Sequence, residues 1–335
     1  VWKITNNTNY IVLKKFEQKV IRPFLLILWD ASEQQAKRIY NITKPEDIWK
    51  NTNPYKKYSI DQQKIIDYFF RRAVDGQKFY DVFLNIIGRY NKTEVISIIK
   101  LYIRQNNFIY KNDYNLKEIK CPPEFKTIFI TFFYEKFFTL KTLWKMVAGI
   151  EYNRGNFHEN FYKENMEIKV CPYCDMALTV SKSSNYVEHF LPKAKFPLLS
   201  MNPYNLISSC DSCNKGEEGK GENVKSDITT PYNHFIGEYI DFNLKKGVIH
   251  LSNLSNLSSI DNYLDLLKLE KRYGQDKAFK YLKTELEIQF EYFSEMDNLS
   301  QSKIDDFLTK RDRHSPFNIA LKSVIKKYPA YKSYL

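Results

Sequence analysis

Glycine is scarce in this 335-residue chain, with 10 residues against 24 phenylalanines and 25 tyrosines. So little glycine argues against a glycine-rich sandwich or barrel and favours helices packed through aromatic side chains. Long uninterrupted apolar runs are also lacking. The most apolar stretch, residues 125–144, is broken by Glu135, Lys136 and Lys141, so it reads as a buried amphipathic helix and no membrane partner is expected. No secretory signal is apparent, because the early run 24–29 is short and has no small-residue cleavage site behind it. A cytoplasmic protein is expected. Cysteine and histidine are rare too, at five each, yet four of the cysteines fall in pairs; in a reducing compartment such pairs point to metal before disulfide.

The charge is uneven. The chain carries 51 Lys/Arg against 39 Asp/Glu, a net +12, and residues 1–150 alone hold 26 and 14, which accounts for the whole excess. A basic region beside a neutral one suits a nucleic-acid enzyme that grips phosphates with one part and reacts with another. A solvated, lysine-rich helical surface, in a composition rich in Lys, Asn, Ile, Tyr and Phe, would look the same.

At this length two or three domains are expected. Residues 1–165 read as a basic helical domain. Within it, 61–75 has helical apolar spacing closed by Gly76 as a C-cap, 93–105 starts at Thr93 as N-cap, and Pro122-Pro123 opens a long helix ending at Gly149. Residues 166–225 change to short segments, Pro-Tyr pairs and the paired cysteines. Residues 226–335 read as a hairpin at 240–251, turning near Lys246-Gly247, followed by helices at 260–273, 276–293, 302–309 and 318–327 that pack on the cysteine segment. The run 216–222 (GEEGKGE) reads as a mobile low-complexity loop.

Cys171-Pro-Tyr-Cys174 and Cys210-Asp-Ser-Cys213 are two C-x-x-C knuckles. Each offers two thiolates, and two together complete a closed tetrahedral Zn2+ site that is structural, holding together a segment too small for a core of its own. A thioredoxin-like dithiol needs neither a second pair nor this setting. Cys121 stands apart, a buried or incidental thiol.

Between the knuckles, Glu188-His189 lies on a short strand, 186–191, ended by Pro192; Asn205 lies in the turn-rich Asn-Pro-Tyr-Asn-Leu, and Asn214 follows the last cysteine where a helix begins. This set resembles the HNH endonuclease superfamily, the ββα-metal nucleases, over residues 171–221. More narrowly, CPYC followed by EHFLPKAKFPLLSMNPYNLISSCDSCNKG resembles the HNH nucleases of prokaryotic anti-phage defence, of the Septu type and the retron-associated type. The fold class implied is α-rich and multidomain (α+β), with helical N- and C-terminal regions around a small zinc-stabilised ββα-metal HNH nuclease module.

The resemblance implies roles residue by residue. Glu188 corresponds to the metal-binding acid and Asn214 to the second ligand of a catalytic Mg2+ or Mn2+, hard ions suited to oxygen donors. His189 corresponds to the general base, since a neutral imidazole accepts a proton from water near neutral pH. Asn205 matches the middle asparagine that orients the histidine loop. The chain departs from the commonest pattern with Glu in place of Asp before the histidine and Asn in place of His at the end, and the longer Glu188 can shift the ion.

Lys193, Lys195 and Lys215 are candidate phosphate contacts, although lysines on such loops are commonly just solvated. His158, His250 and His314 have no partner motif, and His234 is a candidate accessory. The implied substrate is DNA, with RNA not excluded, and the implied partner is an ATPase subunit of a defence complex. Two other classes compete: a zinc-stabilised nucleic-acid or protein-binding adaptor in which Glu188-His189 is inert, and an RNA-cleaving toxin nuclease.

Overall fold

Phenylalanine side chains organise the helical part of the chain. Phe79, first residue of the Phe79–Arg89 helix, meets Phe24, Phe69, Phe70 and Phe132 edge-to-face at centroid distances of 5.4, 5.3, 5.3 and 5.1 Å. That is the geometry the ring quadrupole favours. The protein is described here by a computed structural model covering residues 1–36, 46–180, 185–214, 219–296 and 299–327. Its contacts divide it into two units. One comprises Asn6–Asn160 with His189–Leu206, and the other Val1–Thr5, Phe161–Glu188 and Ile207–Leu335. No described helix is long and apolar enough to cross a membrane.

The first unit is almost wholly helical. The 61–75 pattern forms a helix, Ile60–Phe70, that stops earlier than the periodicity suggests. Gly76 is no helix cap: Asp75 and Gly76, at φ +47° and +80°, form the left-handed turn between strands β1 (Ala73–Val74) and β2 (Gln77–Lys78). An Asp-Gly turn of this kind joins a tight hairpin. The Lys92–Tyr110 helix begins on Asn91, not Thr93. Asn91 accepts from the Glu94 backbone N–H at 3.1 Å while Glu94 accepts from the Asn91 backbone N–H at 2.8 Å, a reciprocal cap.

The single long helix expected after Pro122-Pro123 is three kinds of helix in succession: α over Pro123–Lys126, π over Thr127–Lys136 and 3-10 over Phe137–Thr139. The wider π turn lets adjacent Phe132 and Phe133 both be fully buried. Extended Leu140 then breaks the chain, and a new helix, Lys141–Ala148, ends on left-handed Gly149 at φ +76°, as the sequence indicates.

The second unit mixes helices with short strands. β3 (Asn185–His189) pairs with β4 (Leu206–Cys210), and a helical turn, Asp211–Asn214, follows β4. The expected hairpin is present as β5 (Ile240–Lys245) against β6 (Val248–Asn253), antiparallel, with Lys246 and Gly247 at φ +49° and +79° in a two-residue turn. The expected 260–273 helix is interrupted: it runs Ser258–Leu266, passes through left-handed Lys268, and resumes as Leu269–Tyr273. Helices Asp276–Ser294, Gln301–Lys310 and Asn318–Ile325 complete the unit.

Candidate active site and cysteine metal centre

The four paired cysteines converge. All are buried, and their sulfurs lie within 4.8 Å of one another, with Cys171 to Cys213 at 3.8 Å and Cys174 to Cys210 at 3.9 Å. Zinc–sulfur bonds of about 2.3 Å in a tetrahedron require sulfur–sulfur edges of about 3.8 Å, so the cluster fits one tetrahedral ion. Burial pushes the Cys171 and Cys213 thiols up, whereas the thiols of Cys171, Cys210 and Cys213 hydrogen-bond to Cys174 and hold it well down. A buried thiolate of that kind calls for a cation.

The C-terminal helices supply one. Buried Arg272 donates from Nη1 to Cys213 Sγ at 3.1 Å. Burial disfavours its charge, but the Cys174 thiolate and the contact with Cys213 Sγ outweigh that and hold the guanidinium above its ordinary value. Two tyrosines secure the first knuckle through its carbonyls: Tyr263 donates to Tyr173 O at 3.0 Å and Tyr273 to Cys174 O at 2.7 Å. Left-handed Asp175 is fully buried, and its carboxylate accepts from Trp2 Nε1 at 2.6 Å and Ile319 N at 2.9 Å. Burial, opposed by these hydrogen bonds, raises that carboxyl to about 7. Cys121 is not one of the clustered cysteines; it is buried, and burial pushes its thiol up to about 12.

Glu188, on β3, pairs with a residue that sequence reading missed. Lys220 Nζ lies 3.1 Å from Glu188 Oε1, with side-chain exposures of 4% and 16%. Two backbone hydrogen bonds anchor this lysine, from Lys220 N to Cys213 O at 2.9 Å and from Gly221 N to Leu266 O at 2.7 Å. The 216–222 run is therefore not a free loop along its described part, 219–222. Its signal was a lone lysine among glutamates, read as low complexity. Asn214 is the last residue of the short helical turn Asp211–Asn214, and is half-buried. Lys215 falls outside the described residues.

His189 is 3% exposed, and its Nε2 is 3.0 Å from the carbonyl oxygen of Ser200. A carbonyl only accepts, so Nε2 carries a hydrogen and donates it. The Ser200 hydroxyl donates to Phe129 O at 2.7 Å, which fixes that carbonyl against the π-helical segment. The Tyr134 ring lies edge-on to the imidazole, centroids 4.3 Å apart.

Asn205 closes the same loop. Its Oδ1 accepts from Leu191 N at 2.7 Å, and its Nδ2 donates to Leu191 O at 3.1 Å and Leu199 O at 3.4 Å. Asn202 adds a second tie, donating to Asn106 Oδ1 at 2.8 Å. Lys193 and Lys195 are paired, with Glu135 at 2.7 Å and Glu118 at 3.3 Å. Among the other histidines, His158 is buried, His250 faces Asn243 across the hairpin, His314 Nδ1 is buried without a partner, and exposed His234 stands edge-on to Tyr239.

Among the described residues the cysteine cluster is the one group of three or more His, Cys, Asp or Glu close enough to share an ion.

Similarity to known proteins is local. A stretch of 101 residues, 26% of this chain, is 37% identical to Septu protein PtuB of Bacillus thuringiensis and covers 38% of that protein. A stretch of 50 residues, 15% of the chain, is 42% identical to Protein ea31 of Escherichia phage lambda and covers 16% of it. No protein-family profile matches the chain, and no solved structure matches it. The chain thus spans well under half the length of either relative.

Proposed function

We propose that the protein is a metal-dependent endonuclease of the HNH type that hydrolyses phosphodiester bonds in DNA as the nuclease effector of an anti-phage defence system. The observation that carries this reading is the buried His189. Its Nε2 lies 3.0 Å from the Ser200 carbonyl, a contact that orients the imidazole. The acid expected at an HNH centre, Glu188, is the preceding residue. The stretch of identity with Septu protein PtuB supports the defence setting, and the resemblance to nucleases of such systems implies an ATPase partner.

In this reading His189 takes a proton from the attacking water. Asn205 is a positioning residue: by clasping Leu191 and Leu199 it holds the loop that carries the histidine and the Ser200 carbonyl. Glu188 and Asn214 hold Mg2+ or Mn2+, which supplies Lewis-acid stabilisation of charge on the phosphate and the leaving 3′ oxygen. The four cysteines hold Zn2+ as a closed structural site, and their sulfur spacing supports this. The basic charge of residues 1–150 supplies the non-specific grip on DNA.

A second reading, a zinc-stabilised binding adaptor without catalysis, draws on the Lys220–Glu188 ion pair, because an acid already satisfied by an ammonium group has less need of an ion. Cleavage assays separate the two. Purified protein, alone and with an ATPase partner, is incubated with plasmid, single-stranded DNA and transfer RNA in Mg2+ or Mn2+. Nicking of plasmid by the wild type and none by His189→Ala is the expected result. Equal inactivity of both proteins under every condition sinks the nuclease reading, and cleavage of transfer RNA alone replaces DNA with RNA.

A further inference from the structure

We propose that Arg154 and Lys193 form a phosphate-binding site that presents a phosphodiester to His189. This inference rests on the nuclease reading above. Tyr134 organises the cluster: the ring that stands 4.3 Å from the imidazole of His189 also carries the Arg154 guanidinium at 5.0 Å and the Lys193 ammonium at 5.1 Å from its centroid. Three segments of the same unit meet there: the π-helical stretch with Tyr134, the loop after His189 with Lys193, and the start of the Arg154–Glu164 helix.

The chemistry of Arg154 is what singles the site out. A half-buried arginine is ordinarily held by a carboxylate that neutralises it, yet among the described residues no carboxylate pairs with this one. Its orientation comes instead from the ring face, which attracts the cation without consuming its donor fork. Its Nε is buried and has no hydrogen-bond partner. Buried donors are nearly always paired, so an orphan N–H on a guanidinium that shares the Tyr134 ring with His189 points to an acceptor that a ligand brings.

The backbone around Arg154 is fixed to suit this. Asn153 and Asn156 accept reciprocally from each other's backbone N–H groups at 3.2 and 3.0 Å, which sets the first helical turn on which Arg154 stands. Lys193 does have an acid, Glu135 at 2.7 Å, but both side chains are more than a third exposed. An ion pair in water is weak, and a phosphate can take the lysine from it. A planar guanidinium and a mobile ammonium around the ring that also meets the imidazole form an anion site, and a tetrahedral phosphate matches the arginine fork with two oxygens.

The test measures binding apart from cleavage. In the His189→Ala protein without added divalent ion, fluorescence anisotropy follows a labelled DNA duplex and an RNA strand of the same sequence, with Arg154 intact or replaced by Met. Arg154→Met is expected to weaken binding about tenfold and to flatten the salt dependence by about one unit of slope, with Arg154→Lys recovering part of the loss. In the otherwise wild-type enzyme, Arg154→Met should lower cleavage about a hundredfold with zinc content and melting unchanged.

Binding by Arg154→Met equal to that of its parent at low and high salt overturns the site. If the wild type cuts nucleic acid while Arg154→Met binds and cuts like it, the site fails and the nuclease reading stands. If the wild type cuts nothing but the substitution still weakens binding, the nuclease reading fails and the phosphate site stands. Binding of neither nucleic acid overturns both.

Discussion

Lys220 and Glu188 form an ion pair at 3.1 Å with 4% and 16% of their side chains exposed. Taking both charges out of water is costly, and removing one partner from such a pair costs about 3–5 kcal/mol because the other is left uncompensated. Lys220→Met should therefore destabilise its unit by about 3 kcal/mol in denaturant unfolding without divalent ions. Mn2+ should restore part of that loss, since an ion that binds the folded form alone stabilises it by mass action. Equal stabilisation of wild type and Lys220→Met by Mn2+ would show that the ammonium group and the ion do not share Glu188.

The cysteine cluster makes a second prediction. Cys174→Ser should lose bound zinc and unfold its unit, because a structural zinc contributes on the order of 10 kcal/mol. Glu188→Ala should keep the zinc. Arg272→Met, which removes the buried N–H donor to Cys213, should speed zinc release to a chromogenic chelator without changing the starting stoichiometry. Alkylation checks the same assignment. In native protein all five cysteines should resist iodoacetamide, the four as zinc thiolates and Cys121 because burial pushes its thiol up to about 12. After chelation only Cys121 should remain slow.

Much of this fold is legible in the sequence where a local rule decides. Lys246-Gly247 turns the hairpin and Gly149 closes its helix because both need left-handed backbone, which a dipeptide or a glycine announces. The same reasoning misplaced the helix cap at Thr93, because the reciprocal pair Asn91 and Glu94 outcompetes a lone threonine. It also passed over Asp75-Gly76, where apolar periodicity hid a turn signal. Lys220 and Arg154 were not legible at all. One is defined by an acid 32 residues away in sequence and the other by an aromatic ring 20 residues away, and no spacing rule connects such pairs before the chain is folded.

Asn205 is fully buried, and each polar atom of its amide is engaged with Leu191 or Leu199. Asn205→Ala should cost about 1–3 kcal/mol, since it strands a buried N–H and two carbonyls. If the clasp orients His189, the substitution should also lower the cleavage rate while leaving DNA affinity and zinc content unchanged. Asn205→Asp keeps the acceptor for Leu191 N–H and should fall between Ala and wild type. A loss of stability with unchanged cleavage rate at a temperature where the variant is folded would assign Asn205 to the fold alone. His189→Gln, by contrast, should lower the rate by about 10²–10⁴-fold with little change in melting.

The positive charge of residues 1–150 has one concentrated expression along the Lys92–Tyr110 helix. Lys100 and Arg104 on it and Lys111 at its C-cap are exposed, line a shallow groove with Ile103, Asn107 and Phe108, and no acid lines that groove. Arg104 lies over the Phe108 ring at 5.6 Å. The neighbouring segment is tied to the loop that carries His189: Tyr114 donates to Tyr204 O at 2.7 Å, and Glu118 pairs with Lys195 at 3.3 Å.

If this face grips DNA, reversing all three charges to Glu should flatten the salt dependence of binding by about 2 units of slope for a single strand and nearly 3 for a duplex. Anisotropy between about 50 and about 200 mM salt would measure it, with melting temperature as the control, because exposed reversals leave the aromatic core untouched. Unchanged affinity and slope would remove DNA from this groove and leave an acidic protein surface as its counterpart, which pull-down with the proposed ATPase partner would then test.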